Sequence, residues 1–389
     1  MIDRRRALAL LVAAAGQTLG GQPPGTRSRS ALLAAARSAG VRLGAAMDFR
    51  RDWSDADLLS LMRTEVALLT LENGGKWRAL RPDPDTVDWT AIDRATALAD
   101  QTGEALTWHC VLWQNGGMPP YMHCPPDYPG VAARYRHGRG TLTAENGWSR
   151  LTDHLDAMAR RLGDRFWRID VANEMFQWQP ARHYGGVQDP SGFRRGMWWA
   201  CLGGPAGPDW LDRGFRAVHR RFPSARLVLN DWGHEGVDAW LRRKRGYILA
   251  WLRGAVDRGC PIDGVGLQSH LRAGQGYDAE GVAAFCEAVK ALGLDVHITE
   301  LDVDETALPA GLPRAEIDRR LAALAARHVE TVARHGRMAE LTFWHLRSDL
   351  SHVSAQHPGR RLHPGPFDAA GRTLPLYDRV TETLTRLGR

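Results

Sequence analysis

The sequence predicts an α/β protein, a single-domain (β/α)8 barrel of the TIM type, and three observations predict it. Eight short apolar or β-branched runs alternate with longer segments of helical spacing along most of the 389 residues. The runs are nearly continuous in apolar character, as strands covered on both faces are. Six of the eight end in a carboxylate, amide, imidazole or indole that a buried strand has little other reason to carry. In an eightfold barrel those ends converge on one face, where such enzymes build their sites.

The first strand is expected at Val41–Met47 and the second at Val66–Leu71, ending in Glu72 and Asn73 with Lys76 just beyond. Helical spacing over Trp89–Gln101 leads to a third strand, Ala105–Val111, which carries His109 and runs toward Trp113. A helix over Trp148–Leu162 precedes the fourth, Trp167–Ala172, which ends in Asn173 and Glu174. Asp209–Arg221 reads as helix, and the fifth strand, Arg226–Asn230, ends in Asn230 and Asp231. The sixth, Gly264–Ser269, presents Gln268 and His270. Ala279–Leu292 is helical, and the seventh strand, Asp295–Thr299, runs into Glu300 and Asp302. Arg314–Arg334 forms a long helix before the eighth strand, Leu341–His345, with Trp344. No linker or repeat divides the chain after about residue 30. A doubly wound sheet is the alternative, but no G-x-G-x-x-G follows any of these strands.

Residues 1–30 stand apart. Arg4, Arg5 and Arg6 precede an apolar run from Ala7 to Ala15, and a Gly/Pro/Ser-rich stretch follows. A basic start, a short apolar core and small residues describe an export signal. The adjacent arginines resemble the twin-arginine type, with an ordinary Sec signal as the alternative. The protein is therefore expected to be periplasmic or secreted, with residues 31–389 forming the barrel domain. No segment is long and apolar enough to suggest a membrane span.

The formal charge of +7 comes almost entirely from arginine, since lysine occurs only at Lys76, Lys244 and Lys290. The arginines are dispersed and no reader motif is present, so a nucleic-acid partner is not expected. The 15 tryptophans suit sugar faces, although core packing must account for most of them. The cysteines, Cys110, Cys124, Cys201, Cys260 and Cys286, lack zinc-site spacing. Cys110 and Cys124 are the pair nearest in sequence. No metal or cofactor is expected.

Glu174 and Glu300 carry the chemistry. Acetal hydrolysis needs two carboxyls across a cleft, one to protonate the leaving oxygen and one to attack the anomeric carbon or activate water. The segment G-L-D-V-H-I-T-E-L-D-V, Gly293 to Val303, closely resembles the nucleophile signature of glycoside hydrolase family 10, the retaining endo-β-1,4-xylanases. I-D-V-A-N-E resembles the acid/base strand end of that family. L-E-N-G-G-K-W, T-W-H-C-V-L-W, L-N-D-W, I-D-G-V-G-L-Q-S-H-L and L-T-F-W extend the resemblance over roughly residues 41 to 385. It implies Glu300 as nucleophile, Glu174 as acid/base and Asn173 on the sugar 2-hydroxyl. It further implies His270 bonded to Glu300 and oriented by Asp302, with Asn230 in support. Gln268, His109, Lys76 and Asn73 would line the glycone side, with Trp113 and Trp344 as walls. The ionised Glu300 is expected to keep Glu174 protonated. A monomer acting on xylan or a xylan-like oligosaccharide is implied.

The sequence also departs from the family's pattern. Where xylanases usually read W-H-S-Q, Trp113 is followed by Gln114, Asn115 and Gly116. An expected second tryptophan near the eighth strand is His352, and the tyrosine of N-D-Y-N is Trp232. The loop Gln177–Trp199 matches nothing in the family. Three functions therefore stay open: a xylanase, the same chemistry on another glycan such as a bacterial exopolysaccharide, and a non-catalytic carbohydrate-binding barrel.

Overall fold

The computed structural model describes residues 30–114, 118–131, 133–176 and 191–389. The expected export segment up to residue 29, Gly116, and residues 177–190 of the unmatched loop lie outside them.

Eight parallel strands close on themselves: β1 (Arg42–Met47), β2 (Leu68–Leu71), β3 (Ala105–Trp108), β4 (Phe166–Asn173), β5 (Arg226–Asp231), β6 (Gly264–Leu267), β7 (Asp295–Asp304) and β8 (Met338–Phe343). Each pairs with its successor, and β8 returns to β1 with Leu341 opposite Leu43. The helices lie between the strands in sequence, as in a (β/α)8 barrel. Among the described residues no helix is long and apolar enough to cross a membrane.

Strand limits differ from expectation where the chain turns to build the upper rim. The third strand stops at Trp108, and a two-residue run, Leu112–Trp113, re-pairs with Ala172 and Asn173. The sixth stops at Leu267 because Ser269 adopts a left-handed φ of 62°. His270–Arg272 then lies beside Asp302–Asp304, which is why β7 runs to Asp304 instead of stopping at Thr299.

The expected helices form, and others join them, among them Ala31–Ser38, Ala56–Glu65, Ala239–Asp257 and Pro375–Leu387. In Ala239–Asp257 the basic run Arg242–Arg245 hides the buried stripe of Leu241, Ile248, Trp251 and Leu252. Ser30 caps Ala31–Ser38 by accepting from the Leu33 amide at 3.2 Å. That helix meets Pro375–Leu387, where the Leu32 amide donates to the Tyr377 hydroxyl at 3.4 Å.

The barrel interior is polar at its centre. Arg168 contacts Asp170 and reaches Glu340, its Nε 2.7 Å from Oε2 and its Nη2 donating to Oε1 at 3.2 Å. His297 Nδ1 lies 3.0 Å from the same Oε2, and Thr342 donates to Oε1 at 2.6 Å. All of these residues are essentially buried. Gly264 and Gly266 make room for them: a Cβ on Gly264 would approach the His297 ring to 2.8 Å, and one on Gly266 would overlap the Asn230 amide. Cys124, not Cys110, is close to another cysteine; its sulfur lies 3.8 Å from that of Cys201, both as buried thiols.

Candidate active site

The carboxyl ends of the strands open into a cleft of about 670 Å³. Lys76, His109, Trp113, Asn173, Glu174, Gln268, His270, Glu300, Asp302 and Trp344, all singled out in the sequence, line it. Two others stand behind. Asn230 is fully buried beneath Glu300, and Asn73 holds Lys76 from the side, its Oδ1 accepting from Nζ at 3.0 Å. Lys76 Nζ lies 4.7 Å from the Trp113 ring centre and 5.8 Å from that of Trp344, so the two indoles flank a cation.

Both oxygens of Glu300 are held. Asn230 Nδ2 donates to Oε1 at 2.7 Å, and His270 Nε2 lies 3.0 Å from Oε2. The other His270 nitrogen, Nδ1, is 2.9 Å from Asp302 Oδ1. Burial works against charge on this imidazole, but Asp302 and Glu300 outweigh it and hold His270 well above its ordinary range. His109 Nδ1 sits 2.8 Å from Asp170 and 3.9 Å from Glu300, which ties the site to the buried Arg168 centre. Sequence reasoning had not reached that floor, because Arg168, Asp170, His297 and Glu340 lie mid-strand, where polar residues carry no site signature.

Glu174 is held separately but connected. Gln268 Nε2 donates to its Oε1 at 3.3 Å and to Asn173 Oδ1 at 3.1 Å. Asn230 Nδ2 also donates to that Asn173 oxygen at 3.0 Å, so three amides in series, Asn230, Asn173 and Gln268, link the two glutamates. Glu174 takes a left-handed φ of 54°, a conformation that costs a non-glycine residue about 1 kcal/mol or more. Its amide donates to the Asn230 carbonyl, which fixes the turn.

Against the expectation that Glu300 keeps Glu174 protonated stands a cation the sequence did not flag. Arg194, nearly inaccessible, places Nη1 3.3 Å from Glu174 Oε2 while its Nε donates to the Phe176 carbonyl at 3.1 Å. Burial pushes the Glu174 carboxyl up, but the charges of Arg194 and then Lys244, with the Gln268 hydrogen bond, hold it below the usual carboxylate range. Lys244 itself pairs with Asp231 at 2.6 Å, and the second Asp231 oxygen accepts from the Phe176 amide.

Two departures change meaning in the structure. Gln114 does not line the cleft; it is fully buried, donates to the Arg194 carbonyl at 3.2 Å and accepts from the Trp199 amide at 3.3 Å. It props the segment that delivers Arg194 to Glu174. His352 does line the cleft, with Nδ1 3.4 Å from Asp302 Oδ2.

An eightfold barrel that gathers two glutamates, joined by one chain of amides, at the carboxyl ends of its strands has the architecture of the barrel-type glycoside hydrolases. The profile of glycosyl hydrolase family 10 matches residues 31–383, and the chain belongs to that family. It is 24% identical over 281 residues to endo-1,4-beta-xylanase A of Xylanibacter ruminicola, covering 71% of this chain and 66% of that protein. It is 25% identical over 272 residues to endo-1,4-beta-xylanase 5 of Pyricularia oryzae, covering 69% and 58% respectively. The chain thus spans less than two thirds of the length of these two relatives. Xylanase 10B from Thermotoga petrophila RKU-1, solved in complex with xylobiose, shares the fold with a TM-score of 0.76 at 22% identity, over 94% of this chain and all of that one. Native xylanase 10B from Thermotoga maritima does so at 0.74 and 22%, over 91% and 98%.

Proposed function

We propose that the chain is a retaining endo-β-1,4-glycanase acting on xylan, with Glu300 as nucleophile and Glu174 as acid/base. The observation that carries this is the asymmetric support of the two carboxyls. Glu300 is clamped at both oxygens by Asn230 and His270, as an attacking group in fixed orientation needs to be. Glu174 instead meets a cation and an amide that can stabilise its ionised form between proton transfers.

In the first step Glu300 attacks the anomeric carbon. The bond to the leaving oxygen breaks, and that oxygen takes the proton of Glu174. In the second step water attacks the glycosyl ester, its proton passes to Glu174, and the ester bond breaks to regenerate ionised Glu300. Asn173, which accepts from both Asn230 and Gln268, keeps its Nδ2 for the sugar 2-hydroxyl. Because Arg194 favours ionised Glu174, the acid must take up its proton before the first step.

Azide tests the assignment, because it attacks without a general base. Glu174→Ala acting on an aryl β-xyloside with a good leaving group should release the β-glycosyl azide. Glu300→Ala should give the α-product through the vacated face. The same anomer from both variants, or full activity of either on polymer, refutes these roles.

A second reading, the same chemistry on another glycan, is favoured by His352 and by the buried redeployment of Gln114. Reducing-sugar release across xylan, arabinoxylan, mixed-linkage glucan and bacterial exopolysaccharides separates the two. A non-catalytic barrel would have no need of the His270–Asp302 support behind Glu300. We further propose that residues 1–30 direct export, on the strength of Arg4–Arg6 and the short apolar run.

A further inference from the structure

We infer that His270, Asp302 and His352 form a site for one divalent transition-metal cation of the zinc class, and that filling it silences the cleft. The three side chains each turn one possible ligand atom inward, and these atoms lie within 4.8 Å of one another. His270 Nδ1 is 2.9 Å from Asp302 Oδ1, and His352 Nδ1 is 3.4 Å from Oδ2. Asp302 is only 3% exposed, yet its Oδ2 is a buried atom with no hydrogen-bond partner, and the same holds for His352 Nδ1. These two buried polar atoms lie within ion-pair distance of each other, yet neither has the hydrogen bond that burial normally demands.

A cation supplies it. Zinc binds imidazole nitrogen and carboxylate oxygen at about 2.0–2.2 Å, which sets two ligands at a tetrahedral angle about 3.3 Å apart. The 3.4 Å between Asp302 Oδ2 and His352 Nδ1 is that spacing. Two imidazoles and one carboxylate suit zinc or its transition-metal neighbours, whereas calcium and magnesium prefer oxygen alone. The surroundings also fit. His270 would ligate through Nδ1, releasing to solvent any proton held there, while its Nε2–H continues to donate to Glu300 at 3.0 Å. A ligating histidine whose second nitrogen meets a carboxylate is the usual outer arrangement of such sites. Three protein ligands leave a fourth position open toward the cleft. The His352 side chain is 37% exposed at the cleft wall and has room to close on the ion.

Binding stands on these residues alone; inhibition rests also on the hydrolase reading, because the ion would engage His270 and Asp302 behind Glu300. The test uses untagged full-length protein freed of metal by a chelator. Calorimetric titration with Zn²⁺ should show one saturable equivalent, and Co²⁺ should develop the visible absorption of a low-coordinate site. His352→Ala should weaken Zn²⁺ by on the order of tenfold or more. His352→Cys, which restores a zinc ligand, should recover affinity, whereas His352→Trp should not. Zinc inhibition of each variant should follow its own binding curve. Absence of saturable binding, or equal affinity in wild type and His352→Ala, overturns the site. Zinc binding that depends on His352 in a protein inactive on every glycan would leave the site standing and remove the hydrolase reading instead.

Discussion

Replacing Arg194 with Met should move the alkaline limb of the pH–rate profile to higher pH. The first step needs Glu174 protonated, and the ion pair with Arg194 stabilises the opposite, ionised form. Removing that cation raises the Glu174 pKa, so the acid persists to higher pH. The contact is a charge-assisted hydrogen bond at 3.3 Å between a nearly inaccessible guanidinium and a carboxylate that is 16% exposed. Such a bond contributes about 1.5–3 kcal/mol, which shifts the protonated fraction beyond the limb by roughly 10- to 150-fold. Methionine keeps most of the buried stem and removes only the charge and its donors. The assay is kcat/KM against pH on a xylo-oligosaccharide, whose poor leaving group needs the proton, with an activated aryl xyloside in parallel. The shift should be pronounced on the first and small on the second. Arg194→Lys, which retains the charge, should keep the limb near its wild-type position. A limb that stays fixed in a folded Arg194→Met enzyme, or moves to lower pH, refutes the argument that this cation sets the acid.

Other outcomes follow from neighbouring parts of the structure. Glu340→Gln removes one of the two carboxylates that contact the fully buried Arg168 and leaves Asp170 in place, which should cost about 1.5–3 kcal/mol and lower Tm by roughly 2–4 °C in calorimetry; a change below about 1 °C would mean that the central charges do not depend on one another. Restoring glutamine at Gly116 and tryptophan at His352 should raise kcat/KM on xylo-oligosaccharides, each contact adding roughly 1 kcal/mol. A decrease instead points to another glycan. Replacing Arg4, Arg5 and Arg6 with lysine should retain the precursor in the cytoplasm, and unchanged secretion would leave an ordinary Sec signal.

Legibility in the sequence followed the geometry of the barrel. Strand ends were readable because a carboxylate or amide after an apolar run is costly anywhere but at a site, so Glu174, Glu300, Gln268 and His270 stood out. Asp302 was implied by the resemblance around Glu300, and its place two residues on along the same strand lets it face the same way. Arg168 and Glu340 were hidden because each is interpretable only beside the other, 172 positions away. Gly264 and Gly266, read simply as part of the sixth strand, leave the space that His297 and Asn230 occupy.

Arg194 shows why local pattern fails at the remaining point. It lies in a segment with no regular element, and its role exists only because Gln114 grips its carbonyl from the rim beyond β3. Read alone, Gln114 was an amide where xylanases usually carry a histidine. In place, it is the prop that sets a cation against Glu174. The substitution at the rim and the perturbation of the acid are therefore one feature, and changing Gln114 to Ala should displace the alkaline limb in the same direction as removing Arg194. If Gln114→Ala weakens substrate binding and leaves the limb where it is, the two residues act independently and that link is wrong.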